Sequence, residues 1–134
     1  MNVNNHIFLP KWTNKVILIA EDNDTSFKYY ELLLNGSGAK ILRATNGQEA
    51  VDICLKNKVD IVIMDYEMPV LNGIEASFVI KKQNPQLPII LHTASEITRI
   101  EMQCRKAGCE AVLSKPTDCH EFISIVNNNI SNKN

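Results

Sequence analysis

The chain lacks the marks of several large protein classes. No apolar run approaches the roughly 20 residues that a membrane-spanning helix needs. Charge of one sign is also missing: 14 Lys and Arg stand against 15 Asp and Glu, a formal net charge of −1 over 134 residues. A surface so balanced gives no basic stripe for nucleic acid and no electrostatic hold on a membrane, so neither partner is expected. The opening stretch, MNVNNHIFLPKWTNK, has no signal-peptide apolar core and no cleavage site, and the expected compartment is the cytoplasm. The four cysteines, Cys54, Cys104, Cys109 and Cys119, form no CxxC pair and no zinc-ligand spacing with histidine. Each lies within or beside an apolar stretch, so they are expected to be reduced thiols that pack as small hydrophobes. No internal repeat is visible.

What remains is an ordinary globular balance, 45% hydrophobic and 22% charged, in a length that suits one domain with a real core. Both ends are polar and Asn-rich. Residues 1–14 read as a linker or N-terminal arm, broken by Pro10 and by Trp12, which either tacks the arm down or hangs free. Residues 15–127 read as the domain, and 128–134 as a polar tail.

Between the ends, short β-rich runs alternate with helical spacings. Val16–Ala20 (VILIA) is a continuous apolar run of the kind a buried parallel strand shows. Residues 40–44, 61–64 (IVIM), 87–91 (LPIIL) and 111–113 supply four more strands. Helices are expected between and after them. The first carries Phe27, Tyr30, Leu33 and Leu34 and stops at Gly36. The second is capped by Asn46 and turns Ala50, Val51, Cys54 and Leu55 inward. The third starts at Asn72 or Gly73 with Ile74, Phe78 and Val79 inward. The fourth runs from about Glu96 to Ala107 and ends at Gly108. The fifth, capped by Thr117 or Asp118, presents Phe122, Ile125, Val126 and Ile130. Strict alternation implies an α/β fold: a doubly wound five-stranded parallel sheet with helices on both faces. The flavodoxin-like order 2-1-3-4-5 is the expectation, with its ligand site at the carboxyl ends between strands one and three.

The unusual polar residues gather at those ends. Glu21 and Asp22 follow strand one, Asp65 ends strand three, Thr93 follows strand four and Lys115 follows strand five. Three carboxylates in one cleft repel each other and call for a counter-charge. A hard divalent cation, Mg²⁺ or Mn²⁺, provides one and needs only one or two direct carboxylates. Asp22 and Asp65 are the expected direct ligands, with Glu21 acting through water and the backbone carbonyl of Glu67 adding an oxygen. A carboxylate can also attack phosphorus and form an acyl phosphate. Lys115 then brings a mobile positive charge and Thr93 a hydroxyl to the phosphoryl oxygens. Nothing in the set resembles a strong water-activating base, so the group is expected to be accepted, held and lost slowly.

Residues 16–23 (VILIAEDN), 63–69 (IMDYEMP), 72–73 (NG), 92–94 (HTA) and 113–116 (LSKP) resemble, in order, the motifs of a response-regulator receiver domain. The resemblance implies Asp65 as the phosphorylation site, with a sensor histidine kinase or a histidine phosphotransfer protein as the phosphohistidine donor. It also implies a regulatory domain, rather than an enzyme acting on other substrates, that is a monomer or weak dimer, with a Lys115–Pro116 bond that is commonly cis. Residues 21–23 (EDN), 46–50 (NGQEA) and 107–109 (AGC) resemble the receivers of hybrid sensor histidine kinases, and 10–15 (PKWTNK) is similar to the linker before such a receiver. One position departs from the pattern. Three residues before the lysine, where the family often has Tyr or Phe, stands Val112, so a Thr-to-aromatic switch is not available. Two other readings remain: a receiver-like binding module that works without phosphorylation, and a haloacid-dehalogenase-like phosphatase in which Asp22 is nucleophile and Asp24 the acid–base. His92, next to Thr93 but on the opposite face of the sheet, is expected to be a packed histidine.

Overall fold

The computed structural model describes residues 9–130. Five strands and five helices alternate as β1 (Val16–Ala20), α1 (Asp24–Leu34), β2 (Lys40–Ala44), α2 (Gly47–Lys56), β3 (Ile61–Met64), α3 (Gly73–Gln83), β4 (Ile89–Thr93), α4 (Ile97–Ala107), β5 (Ala111–Ser114) and α5 (Cys119–Ile130). All strand pairs are parallel and the order is β2-β1-β3-β4-β5. This is the doubly wound sheet that the sequence implies.

Strand alternation divides the core into two layers. Ile17, Ile19, Ile61, Ile63 and Ile90 face α1 and α5, where Tyr30, Leu34, Phe122 and Val126 meet them. Leu18, Ala20, Val62, Met64, Ile89 and Leu91 face the other helices, meeting Ala50, Val51, Ala76, Ile80, Ile100 and Cys104. All four cysteines are free thiols. Burial pushes the thiols of Cys54 and Cys104 up to about 12, which keeps them protonated and unreactive.

Three helices begin on an asparagine. The side chains of Asn23, Asn46 and Asn72 accept hydrogen bonds from the backbone N–H groups of Ser26, Glu49 and Glu75, each at 2.8 Å. Glu75 returns the bond to the Asn72 N–H at 2.9 Å, completing a capping box. α4 ends at Gly108, whose φ of 96° is the left-handed conformation that glycine adopts without a Cβ penalty.

Several boundaries and faces differ from the sequence reading. β4 lies two residues later than 87–91, because Pro88 has no N–H to donate and Thr93 pairs with Ser114. Thr93 therefore ends the strand instead of following it. α3 buries Ala76, Ser77 and Ile80 while Phe78 is exposed, and Leu55 of α2 is exposed as well. α5 continues through Ile130, which is fully buried, so position 128 falls inside the last helix. Trp12 is 2% exposed within the α1–α5 layer. Its backbone N–H donates to Ser37 O at 2.6 Å and its indole to Asn127 Oδ1 at 2.9 Å. The stretch from residue 9 onward is thus part of the folded body. The rest of the arm, 1–8, and of the tail, 131–134, lies outside the described residues.

Candidate functional site

The carboxyl ends of β1 and β3 are held side by side. The Asp65 N–H donates to Ala20 O at 3.0 Å, and the Glu21 N–H to Ala44 O at 2.9 Å. Asp65 is also fixed from above by α3, whose first residue approaches its backbone. A Cβ on Gly73 would stand 2.1 Å from Asp65 O and 2.9 Å from Met64 Cγ. Glycine is required there because the obstacle is main chain. Gly73→Ala is expected to cost about 2–3 kcal/mol in denaturant unfolding and to displace the Asp65 amide resonance. An unchanged midpoint and spectrum would refute that contact.

Four of the expected side chains converge. Carboxylate oxygens of Glu21, Asp22 and Asp65 lie within 4.8 Å of one another, among the described residues. The Lys115 ammonium donates to Glu21 Oε1 at 2.7 Å and stands 3.5 Å from Asp65 Oδ1. Glu21 is buried and also accepts the Asn23 N–H at 3.2 Å. Asp22 is exposed. One ammonium against three carboxylates leaves negative charge over.

The Asp65 carboxyl pKa is raised to about 6. Burial is the main cause. Glu21 and Asp22 push the same way, and Lys115 opposes them. With the folded value above the unfolded one, this carboxyl contributes most to stability when protonated. The contribution is full below pH 4 and is lost as pH rises through 6. In EDTA, Asp65→Asn should therefore be more stable than the unaltered chain at pH 7 by about 1–2 kcal/mol, allowing for solvent screening, with the difference closing near pH 4. Urea unfolding at the two pH values measures it; a variant less stable at pH 7 would contradict the assignment.

The donor set fits a hard divalent cation: all oxygen, net negative, and open to solvent at Asp22. Beside it a recess is lined by Asp22, Tyr66, Glu67, Met68, Pro69 and Asn72. Within this loop Val70 has a φ of 74°, a conformation that costs a β-branched residue about 1–2 kcal/mol. Thr93 is buried, and its hydroxyl accepts the Ser95 N–H at 3.0 Å, which leaves the hydroxyl proton available. Its carbonyl accepts the Lys115 N–H at 2.8 Å. The Lys115–Pro116 bond is cis.

Other groups at the site were not singled out from sequence. Ser95 donates to Glu67 Oε2 at 2.8 Å, tying the loop after β4 to the loop after β3. Arg43 of β2 donates to Glu21 O at 3.1 Å and pairs with Asp24 at 2.8 Å. Both are long-range contacts between unrelated segments, with no local spacing to announce them. Asp24 is the first residue of α1, exposed and engaged by Arg43, so it is not poised as a second acid–base group beside Asp22. Val112 packs in the core layer of α2, α3 and α4 and has no ring to reorient.

Comparison with known proteins follows the same lines. A family model described as the response regulator receiver domain matches residues 17–127. The polar-differentiation response regulator DivK of Brucella anthropi is 32% identical over 114 residues, covering 84% of this chain and 93% of that protein. Among solved structures, a Francisella response-regulator receiver domain superposes with a TM-score of 0.80 at 28% identity, covering 88% of this chain and 98% of its own. The receiver domain of a sensor histidine kinase from Pseudomonas aeruginosa PAO1, with a magnesium ion coordinated in its active-site cleft, gives 0.80 at 29% identity, covering 87% and 98%.

Proposed function

The chain belongs to the response-regulator receiver family of two-component signalling, and from that premise we propose that Asp65 is its phosphoacceptor. The carrying observation is the placement of the Asp65 carboxylate 3.5 Å from the Lys115 ammonium, within a cluster of three carboxylates at the switch point of the sheet.

An Asp65 carboxylate oxygen bonds to phosphorus as the P–N bond of a phosphohistidine breaks, and the imidazole leaves with the electron pair. The donor is a sensor histidine kinase or a histidine phosphotransfer protein. Mg²⁺ or Mn²⁺, held by Asp22, Asp65, the Glu67 backbone carbonyl and, through water, Glu21, would screen the approach of two anions and neutralise charge on the phosphoryl oxygens. Lys115 shifts from its Glu21–Asp65 position to a phosphoryl oxygen, and the free proton of Thr93 donates to another. The domain is regulatory: it takes the group onto itself and loses it slowly. Location in the cytoplasm, as a monomer or weak dimer, accompanies this reading.

Relay within a hybrid kinase is the finer reading. It is supported by the likeness to a histidine-kinase receiver and by Val112 in place of a reporting aromatic. A receiver that passes phosphate onward has less use for such a reporter. The complete set of acidic, basic and hydroxyl groups favours phosphorylation over a binding module that dispenses with it.

Incubation with radiolabelled acetyl phosphate tests the proposal. Uptake that requires Mg²⁺ and disappears in EDTA is expected. Failure of the unaltered protein to take up label from either acetyl phosphate or a phosphorylated histidine donor would refute it.

A further inference from the structure

On the α1–α5 layer of the sheet, beneath Lys115, three polar side chains form a chain that no part of the mechanism uses. Tyr30 of α1 and His92 of β4 are both buried. The Tyr30 hydroxyl meets His92 Nδ1, His92 Nε2 stands 3.0 Å from Thr117 Oγ1, and Thr117 Oγ1 meets Ser114 O. With His92 neutral, only one arrangement of protons satisfies all three bonds. Ser114 O is acceptor only, so the Thr117 hydroxyl donates to it. With its single proton spent, that hydroxyl accepts from His92 Nε2–H. The neutral imidazole then has a bare Nδ1, which accepts from Tyr30. Burial and the nearby Lys115 lower the His92 pKa to about 4, consistent with this neutral form.

The chain ends on both sides of one short segment. The Thr117–Ser114 bond closes a turn whose two inner residues are Lys115 and Pro116. The Tyr30 ring lies under the same segment, its centroid 6.0 Å from Lys115 Nζ, within reach of a cation–π attraction. Phe122 of α5 completes the packing, 5.3 Å from the His92 ring and 5.7 Å from the Tyr30 ring. The lysine has a long flexible stem, so where its ammonium stands depends on where its backbone turn is fixed. Transfer rates depend steeply on such placement.

We propose that Tyr30, His92 and Thr117 are positioning residues for Lys115, holding its turn against α1 and β4 so that the ammonium faces Asp65. The proposal rests on Asp65 as phosphoacceptor and Lys115 as its counter-charge.

The test compares Thr117→Val, Thr117→Ser and His92→Phe under saturating Mg²⁺ and acetyl phosphate, with Mg²⁺ affinity measured separately by calorimetry. Thr117→Val and His92→Phe are expected to slow phosphorylation about tenfold with Mg²⁺ affinity unchanged, and Thr117→Ser to restore the rate. In a Lys115→Met background, Thr117→Val should cause no further slowing. A role confined to stability would lower the melting temperature without this dependence on Lys115. Wild-type rates in Thr117→Val, or equal slowing with and without Lys115, would overturn the proposal. A second readout is independent of phosphorylation: the Lys115 side-chain resonances should shift in Thr117→Val and not in Thr117→Ser. If the unaltered protein takes no label, the phosphoacceptor reading fails alone while a shift still carries the coupling; resonances unmoved by Thr117→Val overturn the positioning role.

Discussion

Lys115→Met is expected to slow phosphoryl uptake by about a hundredfold at one fixed, sub-saturating Mg²⁺ concentration, the scale of losing one preorganised charge from a transition state. Two effects contribute, and pH separates them. Lys115 opposes the burial that raises the pKa of metal-free Asp65 to about 6, so without the lysine that carboxyl titrates higher in the metal-free protein, and at pH 7 fewer molecules carry the ionised form that binds Mg²⁺ and attacks phosphorus. That part recovers on raising the pH. The loss of a positive charge from the phosphoryl oxygens does not. The rate–pH profile of Lys115→Met should therefore move to higher pH and level off well below the unaltered protein. A plateau at the original level would mean that Lys115 serves only to ionise Asp65. The variant should also unfold more readily, because buried Glu21 loses its 2.7 Å partner. A buried carboxylate left unpaired is costly, although the partial exposure of Lys115 moderates the effect to about 1–3 kcal/mol.

The second large effect is at the opposite end of the molecule. Trp12→Ala should reduce unfolding free energy by about 3–5 kcal/mol, as removal of a buried large aromatic does. The indole is 2% exposed, packed with Ile17, Tyr30 and Leu34 on the α1–α5 layer, and hydrogen-bonded to Asn127. A loss of that size is a large share of a domain's total stability. Circular dichroism follows the unfolding, since Trp12 is the only tryptophan. Trp12→Phe should recover most of the loss, leaving about 1 kcal/mol for the missing indole bond. If Trp12→Ala unfolds at the original midpoint, the segment is an arm after all.

Trp12 also illustrates where sequence reasoning stops. Composition marked residues 1–14 as linker, because Asn, Lys and Pro surround the one large apolar group. Its burial depends on Ser37 and Asn127, far away in the chain. The tail misled in the same way: Asn127, Asn128 and Asn129 look like a frayed end, yet the Asn129 side chain donates to Ile125 O at 2.8 Å and Ile130 closes the core. In α3 the apolar spacing points to Ile74, Phe78 and Val79; Ile74 and Val79 do pack against the core, half-buried, but Phe78 does not. The residues turned most fully to the sheet include Gly73, Ala76 and Ser77, because small residues permit the close approach that fixes Asp65. Phe78 is left exposed with Lys82 beside its ring.

The site itself was far more legible. In a parallel sheet every strand ends at the same edge, so residue types at strand ends translate directly into neighbours once the order is known. Glu21, Asp22, Asp65 and Lys115 could be placed together on that ground alone. The contacts that hold them could not, since Arg43, Ser95 and Gly73 reach the site from β2, the loop after β4 and the start of α3. A strand over 87–91 leaves Thr93 beyond its end, but Thr93 pairs with Ser114 as the last rung of β4. Its hydroxyl is fixed by strand geometry rather than left to a mobile loop. Val112 packs in the layer of α2, α3 and α4, whereas the Tyr30–His92–Phe122 cluster occupies the other face.

The most direct measurement is chemical mapping of the modified residue. The protein is treated with acetyl phosphate and Mg²⁺, the acyl phosphate is reduced with borohydride, and the peptides are sequenced by mass spectrometry. A carboxyl phosphate on aspartate leaves homoserine at its position. The account predicts homoserine at Asp65 alone, and none when EDTA replaces Mg²⁺ or when Asp65→Asn is used. Homoserine at Asp22, or phosphate retained on a histidine with Asp65 intact, would contradict it.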